Sequence, residues 1–453
     1  MKLLTTMNST ETTGPATYDN APSVPSLREV HRTISVTHLG FWRKLFAFSG
    51  PGFLVAVGYM DPGNWATDIA GGSRYAYQLI FILMMSNLMA ILLQTLAARL
   101  GIVTQHDLAQ ACRAQYSRRT SIALWVICEI AISACDLAEV IGSAIALNLL
   151  FHIPMVWGVC LTALDVLVIL YLQHRGFRYL EAIVVVLIAT IGLCYLIEII
   201  WAKPDFLGIA RGFIPTKQLF TDREMLFIAI GILGATVMPH NLYLHSSLVQ
   251  TRAIERTREG LRTAIRYNFI DSTLALNFAF LINAAILIMA AATFYRHGLN
   301  QVAEIQDAYH TLSPLLGIPL ASFLFAIALL CSGQNSTLTG TLAGQIVMEG
   351  FLNIRLAPWL RRLITRLIAI VPAIICVVLY GERGTARLLL LSQVILSLQL
   401  SFAVVPLVQF TSDRNKMGEF VNPAWVKVLA WLTAAAIAGL NAYLIVLTVR
   451  AWV

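Results

Sequence analysis

Charge is the scarcest ingredient of this 453-residue chain. Asp, Glu, Lys and Arg make up only 12% of it, against about 25% in an ordinary soluble domain. Hydrophobic residues reach 58% and the mean hydropathy is +0.73, which excludes a soluble globular protein. Acidic residues are the rarer sign, leaving a net charge of +8. That excess does not indicate nucleic acid binding, because the basic residues fall in short loops between apolar runs, as the positive-inside rule requires. The seven cysteines (Cys112, Cys128, Cys135, Cys160, Cys194, Cys331 and Cys376) lack metal-type spacing. Most lie inside apolar runs, where Cys is a small buried hydrophobe, and no disulfide framework is expected. Neither a phosphate-binding loop nor an HExxH helix is present, which argues against an ATP-driven pump and an intramembrane zinc protease. An enzyme is therefore not expected. Residues 1–44 are polar and have no secretory apolar core, so they read as a cytoplasmic tail without a cleaved signal.

What is present is a series of apolar runs of about 20 residues, each long enough for a membrane helix. Eleven are predicted, at about 45–70, 77–98, 121–150, 154–173, 179–201, 224–250, 267–293, 315–350, 363–380, 385–410 and 424–448. Arginine-rich connections follow spans two, four, six, eight and ten. These should face the cytoplasm together with the N-terminal tail, and the C-terminus then lies outside. The expected location is the cell (inner) membrane, in a bilayer, as a monomer.

The first span is interrupted by Gly58-Tyr-Met-Asp-Pro-Gly-Asn64. Asp61 within a membrane helix costs roughly 2.5–3.5 kcal/mol on insertion scales. Pro62 removes a backbone donor and Gly63 adds freedom, so the helix should break here. A second interruption stands in the sixth span, at Ala235-Thr-Val-Met-Pro-His-Asn241. Spans one and six run in opposite directions, which divides the chain into two inverted halves of five helices, 45–201 and 202–410. Residues 411–453 form a loop and an additional helix. Paired broken helices in corresponding positions are a pointer to a transporter's binding site.

The first break offers the Asp61 carboxylate, the Asn64 carboxamide and the Gly58 carbonyl. The second offers the Met238 thioether and the Ala235 carbonyl. Oxygen alone would suit Mg²⁺ or Ca²⁺, whereas an added sulfur favours Mn²⁺ or Fe²⁺, with Co²⁺ or Cd²⁺ accepted. The bland alternatives are ordinary packing for Met238 and a satisfied helix cap for Asp61.

Asp61-Pro62-Gly63-Asn64 and Met238-Pro239-His240-Asn241 resemble the paired signatures of the NRAMP family of proton-coupled divalent-metal transporters. Gly333-Gln-Asn-Ser-Thr-Leu-Thr-Gly-Thr-Leu-Ala-Gly-Gln345 is similar to that family's segment in the eighth helix. The resemblance covers about residues 41–410, and Met238 is similar to the Mn²⁺- and Fe²⁺-handling bacterial branch. It implies an all-α, LeuT-like 5+5 inverted-repeat fold with helices 1 and 6 unwound. It implies metal ligands at Asp61, Asn64, Met238 and the Ala235 carbonyl, with Gln393 joining in some states and Gly58 at a position often held by Ala. The metal is cargo rather than a cofactor, and no cofactor is expected.

Proton coupling, also implied by the resemblance, needs titratable groups. Asp136 and Glu139 are spaced i,i+3 and share a helix face. The family assigns them a proton route, on which Arg366 is also expected, with the alternative of a structural ion pair to Arg366. His240 is expected on the pathway, since histidine changes charge near neutral pH. For His245 the simpler reading is a hydrogen-bonded helix contact, and for Asp165 a packing or ion-pair role. Two rival functions are a Na⁺-coupled carrier of amino acids or similar solutes, which the anionic Asp61 opposes, and a metal-gated channel or sensor.

Overall fold

The computed structural model describes residues 25–36, 41–164, 176–300, 302, 304–354, 358–380 and 385–450. Eight helical segments among them are long and apolar enough to cross a bilayer. They are Ile80–Thr104, Arg118–Phe151, Phe177–Ala202, Arg223–Thr251, Arg258–His297, Leu320–Leu352, Thr385–Thr411 and Ala424–Val446. The first span is two short helices, Pro51–Gly58 and Pro62–Tyr75. The fourth begins as Met155–Leu164, and the ninth is Pro358–Tyr380. Among the described residues, helices therefore stand in order where the eleven spans were expected, the fourth only in part, and the chain is a multi-pass membrane protein.

Several ends differ from the hydropathy reading because caps, not apolarity, set them. The third span starts at Arg118, where the Ser117 side chain accepts from the Thr120 backbone N–H. The seventh starts at Arg258 rather than 267, since Thr257 accepts from Gly260 N at 3.1 Å. Its first turns carry arginines and reach beyond the apolar run. Ile305–Leu316 is a separate short helix where a polar loop was expected, and the eighth span runs Leu320–Leu352 rather than 315–350. Gly317 separates the two by closing the short helix in the left-handed region (φ 68).

The described part of residues 1–44 is docked. Ser26 and Leu27 are buried, and the Ser26 hydroxyl donates to Asp107. Ile34–Ser35 pairs in parallel with Arg252–Ala253, just past the sixth span. A further short helix, Phe41–Phe48, precedes the first span. At the centre, Trp65 is fully buried, with its ring edge-on to Tyr195 and Phe325 at 5.1 Å from each. That aromatic knot fixes the second half of span one against spans five and eight.

Candidate functional site

Both interruptions arise from the same chemistry. In an α-helix each carbonyl accepts from the N–H four residues on. Four residues beyond Gly58 stands Pro62, and four beyond Ala235 stands Pro239. Neither proline has an N–H, so the Gly58 and Ala235 carbonyls lose their helical donors. The first half-helix closes with tightened turns, Tyr59 N to Ala56 O at 3.1 Å and Met60 N to Val57 O at 3.0 Å. Asp61 and Met238 then adopt extended backbone as N-caps, and each proline opens the next helix at its first position.

Asp61, Met238, Ala235, Asn64 and Gln393 are all essentially without solvent exposure. One Asp61 oxygen accepts from Asn64 N at 2.8 Å, and the other faces Gln393 Nε2 at 3.5 Å and Cys135 Sγ at 3.9 Å. Gly63 permits this approach, because a Cβ there would collide with the Gln393 side chain. Both polar atoms of the Asn64 side chain and Oε1 of Gln393 lack hydrogen-bond partners. Buried polar atoms left unpaired cost free energy unless something else engages them, and here they gather beside a carboxylate. The neighbouring carbonyls are already occupied, Tyr59 O by Asn283 Nδ2 at 2.6 Å and Met60 O by the Ser332 hydroxyl.

Met238 packs with Ala131, Ala134, Cys135 and Leu396. Cys135 thus belongs to the apolar cluster around Met238 while its thiol lies near Asp61. A second link joins the halves directly, as Asn241 Nδ2 donates to Val55 O at 3.4 Å. Gly58 makes room for it, since an added Cβ would press on the Asn241 carboxamide. Glycine at this position therefore has a packing reason beyond the flexibility expected from sequence.

Asp136 and Glu139 are buried on the third span. Cys135 Sγ lies 3.7 Å from Glu139 Oε1, so a short polar path leads from Asp61 to Glu139. Both carboxylates face the eighth span, each with an oxygen 3.0 Å from where a Gly340 Cβ would stand. His240 is buried with Nδ1 unpartnered. His245 belongs to a hydrogen-bonded chain, with Nδ1 3.1 Å from Gln94 Oε1 and Nε2 3.4 Å from Asn268 and Ser272. The Arg366 side chain and Asp165 lie outside the described residues, so the ion-pair alternatives for them stay as expectations.

Sequence reasoning missed Cys135, Asn283 and Ser332. Only Cys135 carried a signal, being four residues before Glu139 and so on its helix face. Among the described residues no group of three or more His, Cys, Asp or Glu could hold a metal. The donors at the breaks are one carboxylate, carboxamides, freed carbonyls and a thioether. Such a set leaves a divalent charge half neutralised, which suits a passing ion better than a structural one.

Known proteins resemble this chain along most of its length. A family model described as natural resistance-associated macrophage protein-like matches residues 52–447. A divalent metal cation transporter MntH of Nostoc sp. is 63% identical over 429 residues, spanning 94% of this chain and 97% of its relative. The MntH of Bradyrhizobium diazoefficiens is 60% identical over 423 residues, 93% and 94% of the two chains. Among solved structures, the Eremococcus coleocola manganese transporter in complex with an aromatic bis-isothiourea substituted compound superposes with a TM-score of 0.85. It shares 44% identity, with 92% and 90% of the two chains covered. Inward-facing Mhp1, at 13% identity and a TM-score of 0.59 over 95% and 94% of the chains, shares the fold alone. With the two proline-interrupted spans and a match running nearly end to end, the chain belongs to the Nramp family and carries its LeuT-like inverted-repeat fold.

Proposed function

We propose that this protein is a proton-coupled symporter that imports divalent transition metal ions, Mn²⁺ foremost and Fe²⁺ with it. The observation that carries the reading is the meeting of the two breaks. A carboxylate, two carboxamides with unpartnered atoms, two carbonyls deprived of donors by proline and a thioether come from spans one, six and ten into one buried region. The names of the relatives support the same class of cargo.

In this mechanism the ion enters from outside and sheds most of its water. It binds through Asp61, Asn64, Met238 and the Ala235 and Gly58 carbonyls, with Gln393 completing the shell. Movement of one helix group against the rest then opens the site to the cytoplasm. Glu139, reached from Asp61 through Cys135, Asp136 beside it and His240 carry the accompanying proton. The protein works as a monomer in the cell membrane, with the N-terminus inside and the C-terminus outside. A Na⁺-coupled solute carrier is disfavoured because Asp61 would repel a substrate carboxylate.

The test is Mn²⁺ uptake into proteoliposomes with internal pH recorded in the same vesicles. Acidification that accompanies Mn²⁺ entry and vanishes in Asp61→Ala is the expected result. Mn²⁺ entry with no proton movement would overturn the coupling and favour a channel.

A further inference from the structure

A groove of about 630 Å³ lies between the ends of spans two, seven and eleven, away from the two breaks. Its long wall is apolar and includes Leu88, Leu92 and Phe269, and its mouth holds Arg99, Arg262, Arg266 and Trp425. We propose that this groove is a binding site for one anionic phospholipid of the leaflet on the basic side of the membrane. Its phosphate would sit between Arg99 and Arg266, and an acyl chain would run along the wall toward Leu88.

Charge supports that occupant. Three guanidiniums line the mouth against a single carboxylate, Glu419, which is already engaged by Arg258 and by Arg262 at 3.4 Å. Among the described residues no carboxylate pairs with Arg99 or Arg266. Arg99 is held in place by Nη1 donating to Asn422 Oδ1 at 3.0 Å, and Asn422 is itself fixed by a 2.8 Å bond to Thr411. Arg99 Nε is buried without a partner. A half-buried guanidinium with no carboxylate at its side favours an anion in the groove, and phosphate matches its geometry.

Length supports a lipid over a free anion. Leu88 and Arg99 are eleven residues apart on one helix, a rise of about 16 Å. Half of a hydrocarbon core is about 15 Å. The groove therefore extends from headgroup level to the bilayer centre, the depth of one leaflet. Trp425 stands at the level where aromatic side chains favour the interface, and basic clefts between helices on the cytoplasmic side recognise lipid headgroups.

The experiment is native mass spectrometry of the full chain in detergent, titrated with phosphatidylglycerol or with phosphatidylcholine. One phosphatidylglycerol should survive activation that strips phosphatidylcholine. Arg99→Gln with Arg266→Gln should reduce that retention by about tenfold or more, since both headgroup charges are lost. Leu88→Trp, which keeps every arginine and fills the groove from an exposed position, should reduce it as well, and decides the matter if the arginine variant fails to fold. Arg118→Gln with Arg119→Gln, at exposed positions outside the groove, should retain the lipid. Equal retention in Leu88→Trp and wild type, equal binding of the two lipids, displacement by inorganic phosphate, or a dimer that excludes lipid would each overturn the proposal.

Discussion

At the first break the backbone is held from several sides. Asn283 takes the Tyr59 carbonyl, Ser332 the Met60 carbonyl, and Asp61 binds the Asn64 N–H that follows it. At the second break Met238 lies among Ala131, Ala134, Cys135 and Leu396, surroundings that are almost wholly apolar. The two breaks share a proline, an extended cap and a bared carbonyl, yet the first is fastened by several hydrogen bonds and the second mainly by packing, with one bond from Asn241 to Val55. The fastened side carries the charge and the packed side carries the sulfur. Under the proposed function, strength of binding and choice of ion would fall to different halves of the molecule, and each could be altered separately.

The largest expected effect comes from removing the charge. Asp61→Ala should lower Mn²⁺ uptake in proteoliposomes by more than about 100-fold, because even outer-shell losses cost about 10–100-fold in metal affinity. Uptake within a few-fold of wild type would mean that the first break does not supply the decisive ligand. Next, Met238→Ala should make Ca²⁺ about tenfold more effective as a competitor while Mn²⁺ uptake declines less, since the sulfur discriminates against hard ions. An unchanged Ca²⁺ competition curve would return Met238 to the role of a packing residue. Third, Asn283→Ala should destabilise the purified protein by about 1–3 kcal/mol, read as a lower melting temperature, because the Tyr59 carbonyl is left buried and unpaired. A comparable loss in Thr236→Ala, whose hydroxyl has no partner beside the second break, would erase the contrast between a fastened and a packed side. The smallest effect belongs to Gly58→Ala. Displacement of Asn241 from Val55 should cost about 0.5–1.5 kcal/mol of stability, with Mn²⁺ still preferred in the uptake assay.

The breaks were legible in the sequence because proline and an intramembrane carboxylate announce themselves within a few residues. The spans were legible for the same reason, since apolarity is a local property. What fastens the first break was not. Asn283 and Ser332 reach their carbonyls across 224 and 272 residues of chain, and an Asn or Ser in a membrane helix gives no sign of which backbone it will meet. The docking of the N-terminal segment was equally hidden, because it rests on a two-residue strand, the Ser26 hydroxyl, bonds from Arg32 to Gln250 and Ile254, and two buried side chains, Leu27 and Val36. Helix ends shifted wherever a Ser or Thr cap lay outside the apolar run, as at Ser117 and Thr257.

The prolines have one last consequence. Rewinding either interrupted helix would not silence its bared oxygen, since the residue that ought to cap it has no hydrogen to give. If these oxygens hold the cargo as proposed, an emptied cavity keeps its thirst through every stage of the transport cycle. Discharge would then come from the two arms drawing apart, each leaving with a fragment of the shell, and the journey back would be made with those oxygens awaiting water or the next ion.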